Sequence, residues 1–86
     1  MNTPPLSFPC QFPIKVMGVN SETFESEIFM IARKHVPDIG EAAIRSRPSR
    51  SAKYLSVTVT ITAQSREQLD DLYRAFNALD GVQMVL

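Results

Sequence analysis

The chain has 86 residues, of which nine are acidic and nine are basic, so its formal net charge is zero. This length fits one domain with a single modest core and excludes a deep internal cleft. The balanced charge gives no reason to expect nucleic acid or a membrane as the main partner. The single cysteine excludes an internal disulfide and fits a reducing compartment, and no apolar run is long enough to cross a bilayer. We therefore expect a cytoplasmic protein without a cofactor.

The first eleven residues differ from the rest of the chain because they are rich in proline. Pro4, Pro5 and Pro9 lack a backbone N–H donor and favour extended conformations. We expect residues 1–11 to form a flexible arm and residues 12–86 to form a single folded domain.

A change in periodicity predicts the first strand and the first helix. Apolar and polar side chains alternate over residues 12–19, which is typical of a strand with one buried face. Asn20 or Ser21 is then expected to cap a helix over residues 22–36, because their short side chains can accept hydrogen bonds from its first amides. Pro37 ends the helical pattern.

The longest alternating run, residues 53–63, predicts the central strand. Its odd positions from Leu55 to Ala63 are apolar, and its even positions from Tyr54 to Thr62 carry hydroxyl groups. Such a strand has one dry face and one wet face. The polar segment 41–48 before it ends in a proline and is typical of an edge strand.

The last third of the chain predicts a second helix and a final strand. Ser65 is expected to cap this helix together with Gln68, which follows three residues later as in a capping box. Gly81 can adopt the left-handed conformation that follows a helix. The apolar residues 82–86 then predict a short last strand.

The predicted order of elements indicates an α+β domain with a ferredoxin-like βαββαβ fold. With right-handed crossovers, this order gives a four-stranded antiparallel sheet of order 4-1-3-2, with both helices on one face. The opposite surface of the sheet, here called the open face, is left to water or to a partner. The residues predicted to lie on it and to meet a partner are Lys15, Met17, Ser56 and Thr58.

The topology also predicts a candidate site for a small anion. The first two strands finish at the same end of the sheet, which brings the turn after the first strand next to the hairpin before the third. A helix N-terminus and hairpin cations would meet there, and both favour an anion. The alternative is that these cations are only solvated, or pair with Glu22 and Glu25. The residues assigned to this ligand site are Gly18, Asn20, Ser21, Arg50, Lys53 and Tyr54.

Three short segments together resemble a known family. They are the run from Lys15 to Gly18, the hairpin Pro48-Ser-x-Ser-x-Lys-Tyr54 followed by Ser56, and the run from Val82 to Leu86. In combination they are similar to the YbeD-type family of small bacterial proteins of unknown function. The resemblance covers nearly the whole chain and implies a fold similar to the ACT domains, which sense amino acids and regulate metabolic enzymes. Ala52 departs from the family, which commonly has a glycine at this position.

No catalytic residue or metal site is predicted, because neither His35 nor Cys10 has a partner that would activate it. The sequence therefore favours a non-enzymatic, ACT-like regulatory or protein-interaction module that senses a small carboxylate or phosphate metabolite. The alternative is a single-stranded nucleic-acid-binding module that uses the open face, with Tyr54 as a stacking platform, and the basic hairpin. The apolar last strand also predicts a homodimer through the sheet edge.

Overall fold

The computed structural model describes residues 7–86 and contains a four-stranded antiparallel sheet with two helices. Across the sheet the order is β4-β1-β3-β2, and each neighbouring pair is antiparallel. This order confirms the predicted ferredoxin-like fold, with the two most apolar strands in the centre. The strands are β1 (Cys10–Val19), β2 (Ile44–Pro48), β3 (Tyr54–Ala63) and β4 (Val82–Val85), and the helices are α1 (Phe24–His35) and α2 (Arg66–Ala78).

Both central strands have the two faces that the alternation predicts. Their inward side chains form one hydrophobic core with the apolar stripes of α1 and α2. Within residues 7–86 no polar or charged side chain is buried, so any binding site formed by this part of the chain lies on its surface. The buried core residues are Ile14, Val16, Phe24, Ile28, Ala32, Val57, Val59, Ile61, Ala63, Leu69, Leu72 and Phe76.

Strands β1 and β2 begin at different residues from those predicted. The first two residues of β1, Cys10 and Gln11, pair with the end of β3, although the sequence assigns them to the arm. The domain therefore includes the end of the predicted arm, whose residues 1–6 lie outside the described residues. β2 begins only at Ile44, because Glu41–Ala43 form a short 3-10 turn.

The start of α1 differs from the prediction that Asn20 or Ser21 caps it. The N-cap is Thr23, and no side chain accepts a cap hydrogen bond there. Asn20 instead donates through Nδ2 to the Ala52 carbonyl at 2.9 Å, and its backbone N–H donates to the Lys53 carbonyl at 3.0 Å. The predicted cap is therefore wrong. Asn20 instead joins the end of β1 to the β2–β3 hairpin through its hydrogen bonds.

The start of α2 confirms the predicted cap. Ser65 Oγ accepts a hydrogen bond from the Gln68 N–H at 3.1 Å, and Gln68 Oε1 accepts one from the Gln64 N–H at 2.7 Å. The Gln68 amide also donates to the carbonyl of His35 at 3.1 Å. One side chain thus completes the cap of α2 and joins it to the last residue of α1. Within residues 7–86, neither helix is long and apolar enough to span a membrane.

Candidate interaction face

Gly18 was a candidate ligand residue, but it is buried between β4 and α1. A Cβ atom built on Gly18 would lie 2.5 Å from the carbonyl oxygen of Gly81 and 2.6 Å from Cζ of Phe24. Gly18 therefore allows close packing of the strand against its neighbours and cannot contact a ligand. This corrects its assignment to the anion site.

The rest of the predicted anion site lies where the topology predicts it, beside the hairpin. Asn20 is occupied by its two hydrogen bonds to the hairpin, whereas Ser21, Arg50, Lys53 and Tyr54 are exposed. The predicted pairing of the hairpin cations with Glu22 or Glu25 is not found, because the one ion pair within residues 7–86 lies on α2. The structure thus leaves exposed cations at this end of the sheet.

The hairpin contains the one non-glycine residue of the described chain with a positive φ, which is Ala52 at +61°. Its N–H donates to the Ser49 carbonyl at 2.9 Å, which closes a tight turn. A left-handed position of this kind favours glycine for conformational reasons, although Ala52 occupies it here.

Ala52→Gly is expected to raise the free energy of unfolding by about 0.5–1 kcal/mol, because glycine removes the clash of Cβ in the left-handed region. Ser51→Gly is the matched control, since Ser51 has no positive φ and its Oγ accepts a hydrogen bond from the Lys53 N–H. The control is expected to be less stable than the parent. Urea unfolding of the three chains measures both effects, and equal losses for both variants would contradict this interpretation of the turn.

The open face is formed by the outward side chains of all four strands. Strand register places Lys15 beside Thr58, and Met17 beside Ser56, so the four predicted partner residues lie together on it. The same register adds residues that the sequence did not assign to this face. The rows across the sheet are Lys15, Thr58 and Arg45; Met84, Met17, Ser56 and Arg47; and Val19 with Tyr54.

The open face is positively charged although the chain is neutral. None of the four strands contains aspartate or glutamate, and neither does the hairpin that joins β2 to β3. Their cations are Lys15, Arg45 and Arg47 on the strands and Arg50 and Lys53 in the hairpin. All nine acidic residues lie on the helices or in their adjoining segments. Net charge zero therefore conceals a strong separation of charge between the two layers.

A shallow groove runs across the cationic part of the open face. It consists of two adjoining depressions of about 240 and 350 Å³, both lined by Lys15, Arg47 and Ser56. Arg45 and Thr58 extend the groove at one end. Cationic walls and a floor of hydroxyl groups can bind carboxylate or phosphate groups. The groove residues include no histidine, cysteine or carboxylate that could transfer a proton at neutral pH.

Apolar side chains lie on the same face, mainly toward β4. Val19, Tyr54 and Met84 are 46%, 43% and 49% exposed. Leu86 is 60% exposed. It extends the pairing of β4 with β1, because its N–H and carbonyl form hydrogen bonds with the backbone of Lys15. Thus, of the five large exposed hydrophobic residues in the part of the chain that the structure describes, four lie on or beside this face, and the fifth is Met30 on α1.

Sequence reasoning missed the outward position of Arg45, Arg47 and Met84. The signal for β2 was its alternation, since an inward Ile44 places residues 45 and 47 on the opposite side. For β4 the register depends on an irregularity between Met17 and Gly18 of β1. No pattern in the four residues of β4 itself indicates that irregularity.

Comparison with known proteins agrees with the fold and with the motifs. Residues 3–86 match the model of a protein family described as "Protein of unknown function (DUF493)". A UPF0250 protein of Janthinobacterium sp. (strain Marseille) is 46% identical over 81 residues, which cover 94% of this chain and 89% of that protein. A UPF0250 protein of Nitrosomonas europaea is 41% identical, with 94% and 93% covered.

A solved structure shares the fold at low sequence identity. The solution structure of protein HP0495 from Helicobacter pylori superposes with a TM-score of 0.79 at 16% identity, covering 98% of this chain and 88% of that one. The family match and the relatives confirm the resemblance to the YbeD-type family. The chain belongs to the DUF493 family of proteins of unknown function.

Proposed function

We propose that this protein is a non-enzymatic interaction module of the regulatory, ACT-like kind, and that it binds a partner protein through its open face. The observation that supports this most is the composition of that face, which combines cations without any acid and several exposed apolar side chains. The core is already complete on the helical side of the sheet. Exposed apolar groups gathered on one surface are typical of an interaction site.

Binding of single-stranded nucleic acid is the second candidate, because cations and the exposed ring of Tyr54 lie on the same surface. Modules of that type stack successive bases on several aromatic side chains of the central strands. Here the neighbouring outward positions of β3 are Ser56, Thr58 and Thr60. The aliphatic and hydroxyl character of the face therefore favours a protein partner.

A small carboxylate or phosphate metabolite and a homodimer are further parts of this proposal. An exposed charge-assisted contact contributes only about 1 kcal/mol, so a free metabolite held by Arg50 and Lys53 would bind in the high micromolar range or more weakly. β4 is an edge strand, and no strand of residues 7–86 pairs with its outer side, where a second copy could add. Neither of these interactions requires the open face to be covered.

The test is co-purification with tagged chains expressed in the native organism. In Arg45→Glu/Arg47→Glu, reversal of two open-face charges is expected to abolish capture of the specific partner. Lys34→Glu/Arg66→Glu is the matched control, because it changes the net charge equally on the exposed sides of the helices. A glutamate is unfavourable near the C-terminus of α1, at residue 34, and favourable at the N-terminus of α2, at residue 66. These two effects oppose each other, so the fold is retained. Equal capture by both variants would contradict a role for the open face.

A further inference from the structure

We infer that the occupant of the open face is an acidic amphipathic helix of a partner protein, which deepens the proposed function and rests on it. Such a helix would place carboxylates along the groove walls at Arg45 and Arg47. Its apolar stripe would cover Met17, Met84 and Val19. The argument rests on charge, on the distribution of apolar groups and on the backbone.

Charge complementarity decides between an acidic and a basic partner. Lys15, Arg45 and Arg47 line the groove, and the strands contain no carboxylate to balance them. A basic segment would be repelled, and so would the open face of a second copy of this chain. Acidic side chains would form charge-assisted hydrogen bonds with both arginines.

The apolar half of the face excludes a partner that is only acidic. Met84, next to Met17 in the sheet, is 49% exposed, and Val19 is 46% exposed. Burying these side chains needs apolar groups in the partner. Methionine adapts to many surface shapes, and methionine-rich surfaces are common where amphipathic helices bind. The apolar side chains lie toward β4 and the arginines on β2, so a complementary helix carries its carboxylates along one flank.

The backbone of the sheet favours a helix over an extended segment. The N–H and C=O groups of β1 and β3 are paired with neighbouring strands, so the face offers mainly side chains. An extended segment lying across it would leave its own backbone groups without partners, whereas a helix satisfies its own. Adjacent strands are about 4.8 Å apart, so a helix about 10 Å wide reaches from the methionines toward the arginines.

Three fluorescent probes test this inference by anisotropy with the full chain. The first is an acidic peptide of about 18 residues with leucines at the i, i+3, i+4, i+7 spacing of an amphipathic helix. The second has the same composition with the stripe scrambled. The third is a single-stranded oligouridine. We expect the amphipathic peptide to bind at least about tenfold more tightly than either control, and to gain helicity in circular dichroism.

Two variants locate the binding. Arg45→Glu/Arg47→Glu is expected to weaken binding of the amphipathic peptide at least about tenfold. Lys34→Glu/Arg66→Glu is expected to change its affinity less than about twofold. Met84→Ser is expected to weaken it several-fold, and Met30→Ser, which changes an exposed methionine on α1, is not.

Equal binding of the scrambled peptide would overturn the inference, since the contact would then be charge alone. Tighter binding of oligouridine would also overturn it, in favour of the nucleic-acid module. If the peptide fails to bind while co-purification still depends on Arg45 and Arg47, the helix is wrong and the proposed function stands. If co-purification also loses that dependence, the proposed function fails.

Discussion

Val57→Asp is expected to leave the domain unfolded at pH 7, whereas Thr58→Asp, one residue further along the same strand, is expected to leave it folded. Val57 is fully buried in the core, and Thr58 lies on the open face beside Lys15. Burial raises the pKa of a carboxyl by up to about 3–5 units above its usual value of about 3.9, which at pH 7 corresponds to a loss of about 4 kcal/mol. This is comparable with the whole stability of a domain of this size.

The pair of variants tests the two-sided character of β3 by circular dichroism and thermal unfolding. In Val57→Asp, the raised pKa of the introduced carboxyl means that the charge-dependent loss of stability is present at pH 7. That loss shrinks as the pH falls through the raised pKa, because the neutral acid is then buried instead of the anion. A folded Val57→Asp chain at pH 7, or an unfolded Thr58→Asp chain, would contradict the assignment of faces.

The glycines give the second large effect. Gly18→Ala is expected to lower the free energy of unfolding by about 3 kcal/mol or more, because its Cβ meets both a backbone carbonyl and the ring of Phe24. A Cβ at residue 81 would meet no atom within 4 Å, but the φ of +89° disfavours a side chain. Gly81→Ala is therefore expected to lower the free energy of unfolding by about 1–2 kcal/mol. Gly40→Ala meets nothing within 4 Å and is expected to change stability by less than about 0.5 kcal/mol.

Chemical denaturation of these three variants ranks the effects in one experiment. A Cβ at residue 18 would meet the backbone carbonyl of Gly81, and no side-chain rotation can relieve that contact. Adding Phe24→Leu to Gly18→Ala is therefore expected to recover only part of the loss. If Gly18→Ala were no less stable than Gly40→Ala, the close packing of β1 against its neighbours would be wrong.

The strand pattern was predictable because it depends on neighbouring residues alone. The period of two in β3 separates Val57 from Ser56, and antiparallel pairing extends the same separation to β1. The cap at Ser65 was predictable for the same reason, since its partner Gln68 is three residues away. Local rules thus sufficed for the order of elements and for the buried faces.

Features that depend on distant segments were not predictable. Asn20 looked like a helix cap, but its partner is the Ala52 carbonyl, which is separated from it by 32 positions. Gly18 looked like a flexible ligand residue, because the sequence does not show that Gly81 and Phe24 occupy the space above it. Arg45 is different, because the local alternation that begins at an inward Ile44 places it on the open face.

Prediction of the charge of the open face needs both the local sequence pattern and the pairing of distant strands. The number of cations is visible in the sequence, but their separation from the acids appears only when the strands are assembled. Lys15 comes from β1 and Arg45 from β2, and both lie beside Thr58 of β3. A charged surface that several strands form together is therefore predicted from the strand register and not from sequence motifs.

The most direct test of the central claim is the NMR footprint of the co-purified partner on a chain labelled in its methionine methyl groups. Met17 and Met84 lie on the open face, and Met30 is exposed on α1. Binding through the open face predicts that the methyl signals of Met17 and Met84 shift or broaden while that of Met30 stays in place. A response of Met30 without a response of Met17 and Met84 would contradict it.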